Sequence, residues 1–484
     1  MAASCPGTTL ALLLAVSASA SAAPTIGPQI RVDMGGTAWA NEVTASAAEP
    51  FPGRIVVGWN DYRDSPAIRS GFALSIDGGE IWTDFLLRPP VGFGANVEGD
   101  PMVAHDDRTG TLWAGAMAFP QQPGDGAGIY VARLDPGETE FSPSVMAVTD
   151  TVDKGWFAAG PRPGEPDSTR LYCAYNHGII WSDDMGDTWT APVSLGTGLG
   201  FLPRVGPNGE IYVAYWDFGV GVRLQRSLNG GGSFTMHTIA TRMDVWGTQE
   251  STRFPGSFRV PSLSYMDVDP STGTLYAVYF DTTDIDVGPP MRWNVDLYFT
   301  RSIDRGTNWS TPVVINEDAS PSGDQFFPWL EVDRTGGLHI VFLDSRNIVQ
   351  DDTSASGVNG FFDGYYMYST DGGDNWTEAR LSPQTWSSDG DSFIGDYSGM
   401  AVAGSRVYPG YIQLDPGGDQ NIYTNVIEFP SCPWDCADGD GVVGIVDFLA
   451  LLDEWDLDTP CDFDGGGVGI TDMLAQLANW GPCP

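Results

Sequence analysis

Short apolar and aromatic phrases recur along this chain at long, fairly even intervals. They read Arg54-Ile-Val-Val-Gly-Trp59, Thr111-Leu-Trp-Ala-Gly-Ala116, Arg170-Leu-Tyr-Cys-Ala-Tyr175, Glu210-Ile-Tyr-Val-Ala-Tyr215, Thr274-Leu-Tyr-Ala-Val-Tyr279, Leu338-His-Ile-Val-Phe342 and Arg406-Val-Tyr-Pro-Gly-Tyr411. Each is short and rich in β-branched and aromatic residues, the make-up of a buried strand. A strand is expected ahead of each, near Val43, Pro101, Trp156, Leu202, Pro261, Pro328 and Tyr397. Another is expected behind each, near Gly71, Gly128, Gly178, Val222, Leu297, Tyr365 and Asn421. The spacing of roughly 40 to 70 residues suits a four-stranded repeating unit.

A second repeat follows five of the third strands. Its copies are Ser75-Ile-Asp-Gly-Gly-Glu-Ile-Trp82, Ser182-Asp-Asp-Met-Gly-Asp-Thr-Trp189, Ser227-Leu-Asn-Gly-Gly-Gly-Ser-Phe234, Ser302-Ile-Asp-Arg-Gly-Thr-Asn-Trp309 and Ser369-Thr-Asp-Gly-Gly-Asp-Asn-Trp376. Arg133-Leu-Asp-Pro-Gly137 is a worn copy. The chemistry is that of a hairpin turn: Ser and Asp bond nearby amides, Gly accepts positive φ, and the aromatic closes the hairpin. These are Asp-boxes, and their repetition resembles the sialidase family. The resemblance implies a β-propeller scaffold. Counting phrases gives an all-β, seven-bladed propeller over 24–430, with six blades, the sialidase number, as the alternative. Ile26–Met34 is expected to supply the fourth strand of the last unit, closing the ring and protecting sheet edges.

Composition narrows the partners. The chain has 63 acidic and 23 basic residues and a formal charge of −40, so nucleic acid and anionic membrane surfaces are disfavoured. The apolar run Leu10–Val16, followed by small residues to Ala23, reads as a signal peptide over 1–23 and predicts a secreted or cell-surface protein. No later stretch is long enough for a membrane span. Cys432, Cys436, Cys461 and Cys483 cluster at the C-terminus, which suggests two disulfides with three possible pairings.

Residues 431–484 change character, with eleven acidic residues and no Lys or Arg. Two halves repeat 25 residues apart: Cys436-Ala-Asp-Gly-Asp-Gly-Val-Val-Gly-Ile-Val-Asp447 and Cys461-Asp-Phe-Asp-Gly-Gly-Gly-Val-Gly-Ile-Thr-Asp472. Each leads into a short amphipathic helix. The pair resembles a dockerin, which implies calcium held by Asp438, Asp440 and Asp447 and by Asp462, Asp464 and Asp472. It also implies a cohesin-like or surface scaffold partner, with Phe448, Leu449, Leu452 and Met473 as candidate contacts.

Residues that recur in every unit build the fold, whereas those that occur once are candidates for function. Phe258-Arg-Val-Pro261 resembles the sialidase Phe-Arg-Ile-Pro motif and makes Arg259 a candidate carboxylate clamp, with Arg63 and Arg346 as possible companions. The same resemblance implies a tyrosine nucleophile and an aspartic acid/base, for which Tyr397 and Asp396 or Asp100 are the candidates. The expected function is a glycan-acting, sialidase-like glycoside hydrolase; the alternative is a non-catalytic propeller that binds glycan or protein.

Overall fold

The computed structural model describes residues 23–33, 39–94, 96–121, 123–242, 260–286, 292–318, 323–347, 361–387, 393–430, 434, 442–455, 461 and 467–482. It divides into two compact units, residues 25–428 and a second comprising 429–484 with the first 24 residues.

The first unit is all-β and consists of sequential antiparallel sheets. Sheet one holds Ala40–Ala47, Ile55–Asp61, Arg69–Ser75 and Thr83–Leu87, and sheet two Val97–Asp106, Thr111–Phe119, Gly128–Leu134 and Val145–Val148. Sheet three has three strands, Trp156–Arg162, Glu165–Tyr175 and Gly178–Ser182. Sheet four holds Leu199–Val205, Ile211–Asp217, Gly221–Ser227 and Thr235–Thr241; sheet five holds Ser264–Val268, Leu275–Asp286, Arg292–Ser302 and Val313–Val314. Sheet six holds Gln325–Val332, Leu338–Asp344, Phe361–Ser369 and Thr377–Arg380. Sheet seven is built from Gly399–Ala403, Arg406–Leu414 and Gln420–Glu428, and its outer strand is Thr25–Arg31 from the other end of the chain. Two first strands start later than the sequence pattern suggests, at Ser264 rather than Pro261 and at Gly399 rather than Tyr397.

The seven phrases form the second strands, and both faces of each are packed. Trp59, Trp113, Tyr172 and Tyr212 are essentially inaccessible, and neighbouring sheets share apolar clusters between their faces. Each first strand packs against the first strands of the adjoining sheets, and that of sheet seven lies against that of sheet one. Glycine permits this last contact, because a Cβ on Gly399 would stand 2.6 Å from Thr44 Cα.

The Asp-boxes form the turns after the third strands, with one repeated bonding scheme. In the copy starting at Ser182, Ser182 Oγ donates to Asp184 Oδ1 (2.7 Å) and accepts from the Gly186 amide (2.8 Å). Asp184 Oδ1 accepts from the Thr188 amide, and Trp189 Nε1 donates to the Gly186 carbonyl. The same serine and aspartate bonds recur at Ser75, Ser302 and Ser369, with Asn229 replacing aspartate after Ser227.

The second unit contains two helices, Ile445–Asp453 and Ile470–Ala478, and a short pairing of Val442–Val443 with Gly481–Pro482. Leu451, Cys461 and Val468 form its core, with Met473 packed against them. Phe448 meets Trp480 edge-on. Phe448 and Met473 therefore pack the two halves, while the exposed apolar side chains include Ile445, Leu449 and Leu452 and their repeat counterparts Ile470, Leu474 and Leu477, besides Val446, Trp455 and Trp480. Cys461 is disulfide-bonded, and Cys173 in sheet three is a free, buried thiol. No helix among the described residues is long and apolar enough to cross a membrane.

Candidate functional site

The register of the sheets places one residue per unit at a shared position. Thr44 pairs with Gly58, Met102 with Gly115, Trp156 with Ala174, Leu202 with Ala214, Tyr265 with Val278, Trp329 with Val341 and Gly399 with Gly410. Two residues earlier stand Glu42, Asp100, Lys154, Gly200, Leu263, Phe327 and Tyr397. At Glu42, Asp100, Lys154, Gly200 and Phe327 the backbone is left-handed, with φ of 61°, 48°, 46°, 68° and 51°. Such φ values are uncommon outside glycine, and β-bulges accompany those of sheets one, two, four and six. The left-handed backbone at this position directs the side chains of Glu42, Asp100 and Lys154, from sheets one to three, toward Tyr397 at the start of sheet seven.

Four of these side chains meet. Tyr397 Oη donates to Glu42 Oε2 at 3.4 Å and lies 3.5 Å from Asp100 Oδ1. Lys154 Nζ stands 3.8 Å from Asp100 Oδ1, 3.2 Å from the Tyr397 ring centre and 3.8 Å from that of Trp156. Asn60 fixes the two acids, donating to Glu42 Oε2 at 2.6 Å and accepting from the Asp100 amide at 2.9 Å. Rings of Trp156, Trp329 and Tyr265 back the cluster, with successive centroids 4.9 and 5.0 Å apart. Glu42, Lys154 and Tyr397 are almost fully buried, while Asp100 keeps 14% of its side chain exposed.

Burial decides the protonation of this group. It holds Glu42 well above the usual carboxylate range, reinforced by Asp100 and Asp396 and opposed by Lys154. Burial, Glu42, Asp100 and Asp396 likewise push the Tyr397 phenol well above 10, so it keeps its proton at neutral pH. A buried phenol against one carboxylate, with a second carboxylate beside it, has the parts of a base-assisted nucleophile and a proton donor.

The sequence candidates separate accordingly. Asp100, Asp396 and Tyr397 belong to this group, Asp396 acting electrostatically on Glu42, Lys154 and Tyr397. Arg63 instead donates to Asp61 (2.6 Å) and Asp84 (2.7 Å) within sheet one. Arg346 repeats that arrangement in sheet six, with Asp344 at 2.6 Å and Glu378 at 2.7 Å. Each arginine follows its strand-ending aspartate by two residues, so this Asp-x-Arg clamp is a recurring part of the scaffold. Arg259 lies outside the described residues, as do Asp438, Asp440, Asp462 and Asp464. Glu42 and Lys154 are the residues sequence reasoning missed; aligning the first strands on the register of the second would have found them.

A cavity of about 340 Å³ lies further along the first strands, lined by Ser46, His105, Trp156, Arg204, Asp267 and Glu331 among others. Ser46 Oγ is 2.9 Å from His105 Nδ1, and His105 Nε2 is 3.6 Å from Asp107. Burial opposes charge on His105, but Asp107, Glu331 and Asp267 prevail and push its pKa up to about 9. At neutral pH the ring holds both protons and cannot take one from Ser46.

In the second unit Asp447 and Asp472 are buried, and each accepts the amide of the glycine capping its helix, Gly444 at 2.9 Å and Gly469 at 2.8 Å. No group of three or more His, Cys, Asp or Glu among the described residues is arranged to hold a metal.

No family model matches the chain, and neither does any curated protein. Solved sialidases resemble it in three dimensions at low identity. The Hadza microbial sialidase Hz136 is 18% identical with a TM-score of 0.44, over 63% of this chain and 63% of that one. The Trypanosoma rangeli sialidase bound to the inhibitor DANA is 11% identical with a TM-score of 0.41, over 82% of this chain and 57% of its own. A leech intramolecular trans-sialidase is 13% identical with a TM-score of 0.39, covering 83% and 69%.

Proposed function

We propose that this chain is an exported, glycan-acting propeller of seven blades whose reactive centre is Tyr397, Glu42 and Asp100. The observation that carries this reading is the placement of the Tyr397 hydroxyl between the two carboxylates, at 3.4 and 3.5 Å. In this reaction Glu42 takes the phenol proton as Tyr397 attacks the anomeric carbon. Asp100, the most accessible member, gives a proton to the leaving oxygen. A neutral phenol approaches an acidic sugar without the repulsion a carboxylate nucleophile would meet, which favours sialoside-type substrates. The contacts between successive first strands support a closed ring. The test is release of 4-methylumbelliferone from its sialoside: turnover by the folded protein, lost in Tyr397→Phe, is expected, and turnover unchanged in that variant refutes the assignment.

A second reading has its own observation. Arg63 and Arg346 are each neutralised by two carboxylates, so neither is free to clamp a sugar acid. A non-catalytic propeller that binds neutral glycan or protein would keep binding on a glycan array while showing no turnover.

For the tail we propose a dockerin-like module that binds calcium and tethers the propeller to a scaffold. Asp447 and Asp472 fit as the last ligands of two equivalent loops, being buried carboxylates at equivalent helix starts. Asp438, Asp440, Asp462 and Asp464 would complete the oxygen sets, and the ion would fix the loops against the helices. The repeated exposed face of Ile445, Leu449 and Leu452 with Ile470, Leu474 and Leu477 supports a docking role.

A further inference from the structure

Lys154 is the only lysine in the chain; the rest of its 23 Lys and Arg residues are arginine. A guanidinium keeps its proton in a protein, whereas an amine can lose one and become a nucleophile. Every other fixed positive charge here is a guanidinium, so an amine at this one position is distinctive. Its surroundings are equally particular. Lys154 is 5% exposed, and its Nζ finds no hydrogen-bond acceptor among the described residues. It rests on the faces of Tyr397 and Trp156, with Asp100 at 3.8 Å. Left-handed backbone at Glu42, Asp100 and Lys154, within β-bulges at the first two, brings two acids and one amine together from three successive sheets.

We propose that Lys154 is an amine nucleophile that condenses with the carbonyl of a small neutral aldehyde, such as the open-chain form of a reducing sugar. Nζ forms a bond to the carbonyl carbon and the carbonyl oxygen takes a proton. The resulting hydroxyl takes a second proton and leaves as water while the C=N bond closes and nitrogen gives up its two protons. One water is released and nothing is oxidised or reduced. Asp100, Glu42 and the Tyr397 hydroxyl stand where these protons must be given and received. Burial pushes the Lys154 ammonium down in pKa, against the opposing pull of Asp100, Glu42, Asp396 and Asp153, which is the direction that favours a nucleophilic amine. An uncharged aldehyde reaches this buried amine without the cost of desolvating a carboxylate, which a keto acid must meet.

This chemistry goes beyond the hydrolase reading and uses the amine in place of the phenol, so either can fail without the other. Full-length protein is incubated at neutral pH with glycolaldehyde and sodium cyanoborohydride, which reduces an imine to a stable hydroxyethyl amine, and its peptides are weighed. The expected result is labelling of Lys154 that is faster in the folded protein than in the urea-unfolded chain, slower with pyruvate, and absent in Lys154→Arg. The only other amine, at the N-terminus, lies in a different peptide. Labelling confined to the N-terminus in the folded protein, or Lys154 labelled only after unfolding, overturns the proposal.

Discussion

Tyr397 and Glu42 stand 355 positions apart, yet the phenol of one donates to the carboxylate of the other over 3.4 Å. The bond joins the start of sheet seven to the start of sheet one. Tyr397→Phe keeps the ring beneath Lys154 and removes only the hydroxyl. A single net hydrogen bond contributes about 1 kcal/mol. Urea denaturation is expected to show a loss of about that size, with an unchanged m-value. No loss at all would mean that the hydroxyl does not engage Glu42 in solution.

Arg63 and Arg346 are expected to be pillars of the scaffold. Removing either leaves two carboxylates of low exposure without their cation; breaking a buried pair this way costs about 3 to 5 kcal/mol. Arg63→Ala and Arg346→Ala should lower the unfolding temperature markedly, and the double variant Arg63→Ala/Asp61→Asn should recover part of the loss. Unchanged stability with a selective loss of glycan binding would return both arginines to the binding site.

Stability should peak at mildly acidic pH. The box aspartates Asp77, Asp184 and Asp371 are held below the ordinary value by hydrogen bonds from their own turns, against some burial, and Asp304 falls to about 2. Their contribution is present above about pH 4 and is lost as pH falls through their folded values. Burial raises Asp33 to about 7 despite its bonds to Arg31, so its contribution is present at low pH and lost as pH rises through 7. His105, at about 9, adds stability below its ordinary value of 6.5 that disappears as pH rises through 9. Scanning fluorimetry should therefore show a falling midpoint from pH 6 to pH 9. A flat profile across that range would contradict these assignments.

Calcium removal should act on the tail alone. Chelation with EGTA is expected to loosen the two short helices, seen as lost helical circular dichroism and rapid amide exchange over 442–482, with the sheets unaffected. Asp447→Ala and Asp472→Ala should each abolish one of two calcium equivalents in a titration. Full helicity in chelator together with no measurable calcium uptake would leave the tail a disulfide-held acidic module.

Much of this architecture was legible because its signals are local. An aromatic-rich second strand and a Ser-x-Asp-x-Gly turn are each set within about eight residues, so the seven units and their strand order could be read directly. The site was legible only in part, because it depends on register. Asp100 and Tyr397 drew notice through chemistry that fits a family resemblance, but Glu42 lies in the unremarkable stretch Ala40-Asn-Glu-Val43. Lys154 is the sole lysine, yet its meaning comes from its contact with the ring of Trp156 two residues on and with the Tyr397 ring and Asp100 carboxylate supplied by other sheets. Arg63 and Arg346 misled for the opposite reason. Their shared Asp-x-Arg spacing marks a repeated clamp, visible once the acids of the fourth strands, Asp84 and Glu378, are placed beside them.

Covalent trapping distinguishes a Tyr397 nucleophile activated by Glu42 from a tyrosine that only packs against it. A fluorinated sialosyl fluoride forms a long-lived glycosyl adduct with a nucleophilic tyrosine, and mass spectrometry of the peptides locates it. The expected result is an adduct on Tyr397 whose rate of formation rises with pH as Glu42 loses its proton, well above the ordinary carboxylate range, and which vanishes in Glu42→Gln. A folded protein that carries no adduct on Tyr397, or that is labelled equally well in Glu42→Gln, would contradict it.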